Sequence, residues 1–124
     1  MARSDRPSQV ASAAGIIGVA VISAAMFITA LTYTGRGGES YSPLNHWVSE
    51  LGEIGVSVLA PVFNVGLIAG GICLAVFMVA TAIVMGGITS WFFGAAGLAS
   101  GAAGLLVGVF PMNNLEAHAG VALL

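Results

Sequence analysis

Three long apolar stretches constrain this chain more than any other feature, because each is long enough to cross a lipid bilayer as a helix. They run over about residues 10–33, 58–85 and 91–109, and a hydrocarbon core of about 30 Å requires roughly 20 helical residues. Only 6% of the 124 residues are charged, whereas an average soluble domain has about a quarter. We therefore predict an all-α, polytopic transmembrane helix bundle, one domain over residues 1–124, with membrane lipids around it.

A fourth, shorter apolar run follows the third stretch. It begins near Ala117, in a helix expected to start at about residue 114, reads AHAGVALL and reaches Leu124. This run is too short to cross a bilayer. We expect it to be the start of an incomplete fourth helix in a truncated chain. The alternative is a short helix that lies in the membrane interface.

The few charged residues favour one orientation and exclude one class of partner. Arg3 and Arg6 precede the first stretch and Arg36 follows it, so we predict a cytoplasmic N-terminus. We expect a multi-pass protein of the cell membrane, the inner one in cells that have two. Residues 34–57 and 111–116 would then share the outer face. The first stretch is too long for a secretory signal and lacks a small-residue cleavage site. A net charge of −2 argues against nucleic acid as a partner.

Glycines mark the surfaces through which the apolar helices are expected to pack. The third stretch carries glycine in steps of three and four residues at positions 94, 97, 101, 104 and 108, which places them all on one helical face. Such a face allows close backbone approach, which favours helix association in lipid. We predict a helix–helix contact through Gly97, Gly101, Gly104 and Gly108; a conduction path or sliding surface is the alternative. The facing small residues are Gly66 and Gly70 in the second stretch and Ala11, Gly15 and Gly18 in the first.

The segment between the first two stretches is predicted to form a short amphipathic helix over about residues 43–51. Ser42 with Pro43 is a helix start and Gly52 is a helix stop. Its apolar side chains recur at the i, i+3, i+4, i+7 spacing, with polar side chains on the opposite face. The apolar set is Leu44, Trp47, Val48 and Leu51. We expect this helix to lie in the interface, over the outer ends of the spans.

Polar residues of the outer face form the candidate site. His46 and Glu50 are four residues apart, within mutual reach on a helix, and a carboxylate can orient an imidazole for proton transfer or metal ligation. His118 is expected on the same face. We take His118, Glu50 and His46 as the candidate catalytic residues. In the alternative, His46 is solvated and His118 bonds to a loop carbonyl; the spacing specifies neither a zinc site nor any other cofactor.

Asparagines supply most of the candidate ligand-binding residues. Asn64 lies near the start of the second stretch and needs a hydrogen-bond partner, in another helix or in a polar pocket near the outer surface. Asn113 and Glu116 have the spacing of a capping box, which predicts a helix start there. Asn114 shares a helical face with His118. The candidate ligand-binding residues are Asn64, Ser49 and Asn114.

Three motifs in order resemble a known family. They are Ser49-x-Leu51-Gly52, Phe63-Asn64-x-Gly66, and Gly108-x-Phe110-Pro111 followed by His118. Over about residues 16–124 the pattern is similar to that of the prokaryotic membrane family known as domain of unknown function 998. The resemblance implies a larger bundle of membrane helices, of which this chain would hold the first part, and it implies no established activity.

These observations leave two functional hypotheses. The first is a non-enzymatic membrane protein that binds a lipid or a partner at the outer polar cluster, because the chain contains no HExxH, GxSxG or phosphate-loop motif. The second is a membrane-embedded hydrolase or transferase that acts on lipid headgroups, with His118 as base or ligand, Glu50 as acid or ligand, and Asn64 donating to substrate. A small transporter would need charged side chains within the spans, which carry none.

Overall fold

The computed structural model describes residues 5–123 and confirms the three apolar helices. They are α1 (Arg6–Thr32), α2 (Ala60–Met85) and α3 (Ile88–Val109), followed by the shorter α4 (Leu115–Ala122). Windows of the first three reach mean hydropathies of 2.3, 2.6 and 1.8 and are long enough to cross a membrane. The described residues contain no strand, which confirms the all-α fold.

Helix α2 lies at the centre of a row of three helices, with α1 on one side and α3 on the other. The α2 residues that face α1 are Gly66, Gly70, Cys73 and Phe77, and those that face α3 are Gly71, Ala75, Met78 and Ala82. At about 100° of rotation per residue, the two sets are roughly 150° apart around α2. A third stripe on α2 remains exposed, consisting of Val65, Ile72, Val76 and Ile83. These apolar side chains are suited to contact lipid.

The glycine face of α3 packs against α2, as the spacing predicts, but the α2 glycines expected to meet it, Gly66 and Gly70, face α1 instead. A Cβ atom at Gly101 would lie 2.6 Å from the Cβ of Ala75 and 2.6 Å from the carbonyl oxygen of Gly71. A Cβ atom at Gly108 would lie 2.6 Å from the carbonyl oxygen of Asn64. These separations are well inside van der Waals contact, so the two backbones approach to a distance that only glycine permits at these positions.

The connection between α2 and α3 fixes which loops share an end of the bundle. Gly86 and Gly87 join the helices with φ angles of +64° and +79°, a left-handed backbone that glycine adopts without steric cost. This tight turn makes α2 and α3 antiparallel neighbours. Consequently the segment before α2 and the segment after α3 lie at the same end, as predicted.

Residues 33–59, which we call the cap, connect α1 to α2 and correct one prediction. The expected continuous α-helix is absent from this described segment; instead, a single turn closes where the N–H of His46 donates to the Ser42 carbonyl at 2.9 Å. Trp47 is extended, and a 3₁₀ helix follows over Val48–Gly52. The physical reason is a second start signal, because the Glu50 carboxylate accepts the Trp47 N–H at 2.8 Å and begins a new helix there.

The start of α4 also differs from the prediction. Asn114, not Asn113, is the N-cap, and its side-chain oxygen accepts the N–H of Ala117 at 3.2 Å. The Asn113 amide instead binds the backbone of Ile54 twice, accepting its N–H and donating to its carbonyl, both at 2.8 Å. Because Asn113 is engaged with the cap, the predicted capping box with Glu116 does not form.

Candidate functional site

The cap is held on the bundle by a small hydrophobic core. Tyr33, the first residue after α1, is 3% exposed, Leu51 of the 3₁₀ helix is 0% exposed, and Phe63 of α2 is 3% exposed. Tyr33 follows directly on α1, Leu51 belongs to the 3₁₀ helix and Phe63 belongs to α2, so their contact holds the 3₁₀ helix against the ends of α1 and α2.

Three aromatic rings pack together beside this core, those of Tyr33, which belongs to it, Tyr41 and His46. The ring centroids of Tyr33 and His46 are 5.2 Å apart, those of Tyr33 and Tyr41 are 5.7 Å apart, and those of Tyr41 and His46 are 5.8 Å apart. Tyr41 and His46 are stacked at 26°, whereas Tyr33 meets both rings by its edge. These are the distances of favourable aromatic pairs. The three rings thus form one packed aromatic cluster.

His46 lies within this cluster, and both of its ring nitrogens face groups of the cap. Its Nδ1 accepts the backbone N–H of Ser42 at 3.0 Å, so the neutral ring carries its proton on Nε2, which lies 3.5 Å from a carboxylate oxygen of Glu39. Its side chain is only 10% exposed, which corrects the alternative of a solvated His46. The partner carboxylate is Glu39 and not Glu50, because the extended Trp47 removes the helical spacing that would have brought Glu50 into reach.

The charge of Glu39 is stabilised by backbone donors. Its own N–H hydrogen bond and that of Gly37 hold the pKa of the Glu39 carboxyl below its usual range, and His46 adds a smaller effect in the same direction. The Gly37 N–H lies 2.8 Å from Glu39 Oε2. Glu39 is therefore a fixed carboxylate at neutral pH.

Glu50 uses both carboxylate oxygens inside the protein. Its Oε2 accepts the Tyr33 hydroxyl at 3.0 Å, and its Oε1 accepts the Trp47 N–H. Burial, together with the hydrogen bond to Glu50, raises the pKa of Tyr33 to about 12. Tyr33 consequently remains a neutral donor at physiological pH, and it links the end of α1 to the 3₁₀ helix.

Sequence reasoning missed an ion pair between Arg36 and Glu53. The side chain of Glu53 is 9% exposed and that of Arg36 is 78% exposed, so an exposed cation neutralises a mostly buried acid. The two residues are 17 positions apart in a segment without regular periodicity, and spacing rules cannot join them. Composition was the available signal for this pair: within residues 33–59, all of which the structure describes, Arg36 is the one arginine or lysine. A buried glutamate of the cap therefore had one possible cationic partner in that segment.

Asn64 joins α2 to the cap, and its position explains why a glycine is present at position 52. It is 8% exposed, and its Nδ2 donates to the Gly52 carbonyl at 3.0 Å. A Cβ atom at Gly52 would lie 3.0 Å from the Phe63 ring and would also collide with the Asn64 amide. The partner of Asn64 is thus the cap backbone. Nearby, Ser57 Oγ is the one buried side-chain polar atom without a partner in the described part of the chain.

The remaining candidates also have partners within the protein. His118 Nδ1 lies 2.8 Å from the Phe110 carbonyl oxygen, which confirms the alternative in which His118 bonds to a loop carbonyl. Ser49 Oγ donates to Met112 Sδ at 3.5 Å, and Asn114 caps α4. The polar contacts of His118 therefore lie apart from those of His46 and Glu50. Among residues 5–123, no three His, Cys, Asp or Glu side chains are grouped to hold a metal ion.

The residues of the three sequence motifs contact one another in this structure. Asn64 binds Gly52, Gly108 packs on the Asn64 backbone, and His118 binds Phe110. A family model described as "Protein of unknown function (DUF998)" matches residues 16–124, which confirms the resemblance drawn from those motifs. Comparison with curated proteins and with solved structures found no match. The motifs thus include residues that fasten the cap to the helix ends.

Proposed function

We propose that this chain, which belongs to the DUF998 family, is a non-enzymatic integral membrane protein that binds phospholipid through its cap. The family membership and the three apolar helices establish an integral membrane protein of unknown activity. The proposal adds that the cap lies in the boundary between headgroups and acyl chains on the outer side of the cell membrane. There it contacts lipid by its apolar rim.

One observation carries the proposal: the cap exposes large apolar side chains next to the ends of the spans. Leu44 is 92% exposed and Trp47 is 73% exposed. The other exposed apolar residues of the cap are Val48, Ile54 and Val58. Several large exposed apolar side chains in one short segment are typical of a binding surface, and tryptophan is enriched where a membrane meets water.

The polar candidates support binding rather than catalysis. Glu50 uses both oxygens within the cap, and His46 accepts a backbone N–H through Nδ1 while its Nε2 faces Glu39. The Nδ1 of His118 is bonded to the carbonyl at the end of α3. A general base must reach the proton that it removes from a substrate, and these atoms already have partners within the protein. The hydrolase or transferase hypothesis has no comparable supporting contact.

The depth of Trp47 tests this function directly. The chain contains two tryptophans, with Trp47 in the cap and Trp91 at the start of α3, so a Trp91→Phe variant leaves Trp47 as the only indole reporter. We expect its fluorescence in reconstituted vesicles to be quenched by phospholipids brominated near the glycerol backbone, and less by those brominated near the chain end. Aqueous iodide should quench it weakly.

The matched control is Trp47→Phe, which leaves Trp91 at the opposite end of the bundle. That variant checks that the vesicles and the brominated lipids report depth correctly. Strong quenching of Trp47 by iodide, with no response to brominated lipid, would show that the cap stands in water and would contradict the proposal.

A further inference from the structure

A tight turn at the beginning of the cap presents two oppositely charged side chains. The Gly35 N–H donates to the Glu39 carbonyl and the Gly38 N–H donates to the Gly35 carbonyl, both at 2.9 Å. Gly38 has φ of +81°, a backbone that favours glycine. Because α1 ends at Thr32, this turn follows the apolar span by only a few residues and lies at the depth of the headgroups.

The carboxylate of the turn is both fixed and accessible. Glu39 Oε2 accepts the Gly37 N–H at 2.8 Å, Oε1 faces His46 at 3.5 Å, and the side chain is still 47% exposed. The backbone N–H of Glu39 itself is a third contact. A carboxylate has about four acceptor positions, so these three contacts leave capacity for a further donor. That donor can approach only from the exposed side.

The guanidinium of the turn is accessible in the same way. Arg36 pairs with Glu53 through one terminal nitrogen, and its side chain is 78% exposed. Guanidinium has five N–H donors in a planar fork that suits phosphate oxygens. The pairing with Glu53 therefore leaves donors on the exposed side of Arg36, three residues from Glu39.

The charge of the cap disfavours a purely anionic lipid. One arginine and three glutamates give residues 33–59 a net charge of −2 with neutral His46. An anionic headgroup would gain a contact with Arg36 but would meet the field of the glutamates. A headgroup that carries a phosphate and an ammonium group would match both charges of the turn.

We infer that the turn binds the headgroup of a zwitterionic phospholipid, with its phosphate on Arg36 and its ammonium group on Glu39. The occupant is a lipid of the leaflet in which the cap lies, because the same cap exposes the large apolar side chains of Leu44 and Trp47, which would enter that layer. The inference rests on the proposed function, since it names the lipid class for the same surface. Every phospholipid carries a phosphate, so the contact with Arg36 alone would not distinguish one headgroup from another. The preference for a headgroup with an ammonium group therefore depends on Glu39.

Native mass spectrometry of the full chain tests the inference. The protein is mixed with equal amounts of phosphatidylethanolamine and phosphatidylglycerol of identical acyl chains, and the ratio of the two retained lipids is measured. We expect phosphatidylethanolamine to be retained preferentially. Glu39→Gln, which keeps an oxygen to accept the Gly37 N–H, should lower this ratio about two- to fivefold, the range for an exposed charge pair.

Two further variants separate charge from structure. Glu116→Gln makes the same charge change on α4, at an exposed position outside the turn, and should leave the ratio unchanged. Arg36→Lys keeps the charge but loses the planar fork, so the retention of both lipids should fall together.

The outcomes distinguish this inference from the proposed function. An unselective wild-type protein, or an equal loss of both lipids in Glu39→Gln, would overturn the headgroup assignment while shallow quenching of Trp47 would still support lipid contact. If Trp47 is found in water, the proposed function fails and the inference fails with it.

Discussion

Two glycines of the same helical face in α3 are expected to respond in opposite ways to the same substitution. Gly101 and Gly104 both belong to the surface that packs on α2, and alanine adds one methyl group at either position. At Gly101 the new Cβ would lie 2.6 Å from Ala75 Cβ and 2.6 Å from the Gly71 carbonyl oxygen. At Gly104 its nearest neighbour outside α3 would be the Gly71 Cα atom, at 3.5 Å.

The magnitude follows from these distances. Carbon atoms pack best at about 3.5–4.0 Å, so Gly101→Ala must push α2 and α3 apart locally by about 1 Å, because a backbone carbonyl cannot rotate away. Overpacking of this kind costs about 1–3 kcal/mol. Both variants gain similar helix propensity, up to about 1 kcal/mol each, so this gain cancels when they are compared. Gly101→Ala should therefore be less stable than Gly104→Ala by about 1–3 kcal/mol.

The assay is reversible unfolding in mixed micelles of a mild detergent and dodecyl sulphate, followed by tryptophan emission and far-ultraviolet circular dichroism. The free energy of unfolding is compared for the two variants under identical conditions. Equal stabilities, or a lower stability for Gly104→Ala, would refute the view that close backbone approach at Gly101 determines the packing of α2 on α3.

Two further predictions concern the cap. Asn64→Ala should lower the free energy of unfolding by about 1–3 kcal/mol, because it leaves the buried Gly52 carbonyl unpaired. Ser57→Ala removes a hydroxyl that has no partner, so it should change the free energy of unfolding by less than about 1 kcal/mol. Comparable losses in the two variants would contradict this prediction. In a Tyr41→Phe variant, phenolate absorbance should report Tyr33 alone, with a midpoint near 12 rather than 10. Since the folded-state pKa is raised, the stability contributed by the neutral phenol is complete below about pH 10 and is lost as the pH rises towards about 12; a midpoint near 10 would contradict the burial of this hydroxyl.

The helices were predictable because lipid imposes a simple requirement on their sequences. Apolar length alone located the spans within a few residues, and the α3 glycine spacing identified the face that packs on α2. Proline also marks two helix boundaries in this structure, since Pro61 lies in the first turn of α2 and α3 ends at Val109, before Pro111. In each case a local pattern was sufficient, because no distant residue competes for the same backbone groups.

The cap was less predictable because distant residues compete for its local hydrogen bonds. Glu50 could face His46 on an α-helix, yet its oxygens instead accept Tyr33 and Trp47. Asn113 has the same side chain as Asn114, and only its contact with the Ile54 backbone decides which of them caps α4. Sequence periodicity describes neither choice, because both depend on how α1 and α3 bring remote segments together.

The pairing of Asn113 with Ile54 has a mechanical consequence. Its amide satisfies both backbone groups of one residue, as a neighbouring strand would, and it spans 59 positions of sequence. The residue before the N-cap of α4 is thereby bound to the cap. We expect a force that lifts or tilts the cap, such as local thinning of the bilayer, to act through these two hydrogen bonds on the direction in which α4 leaves the bundle.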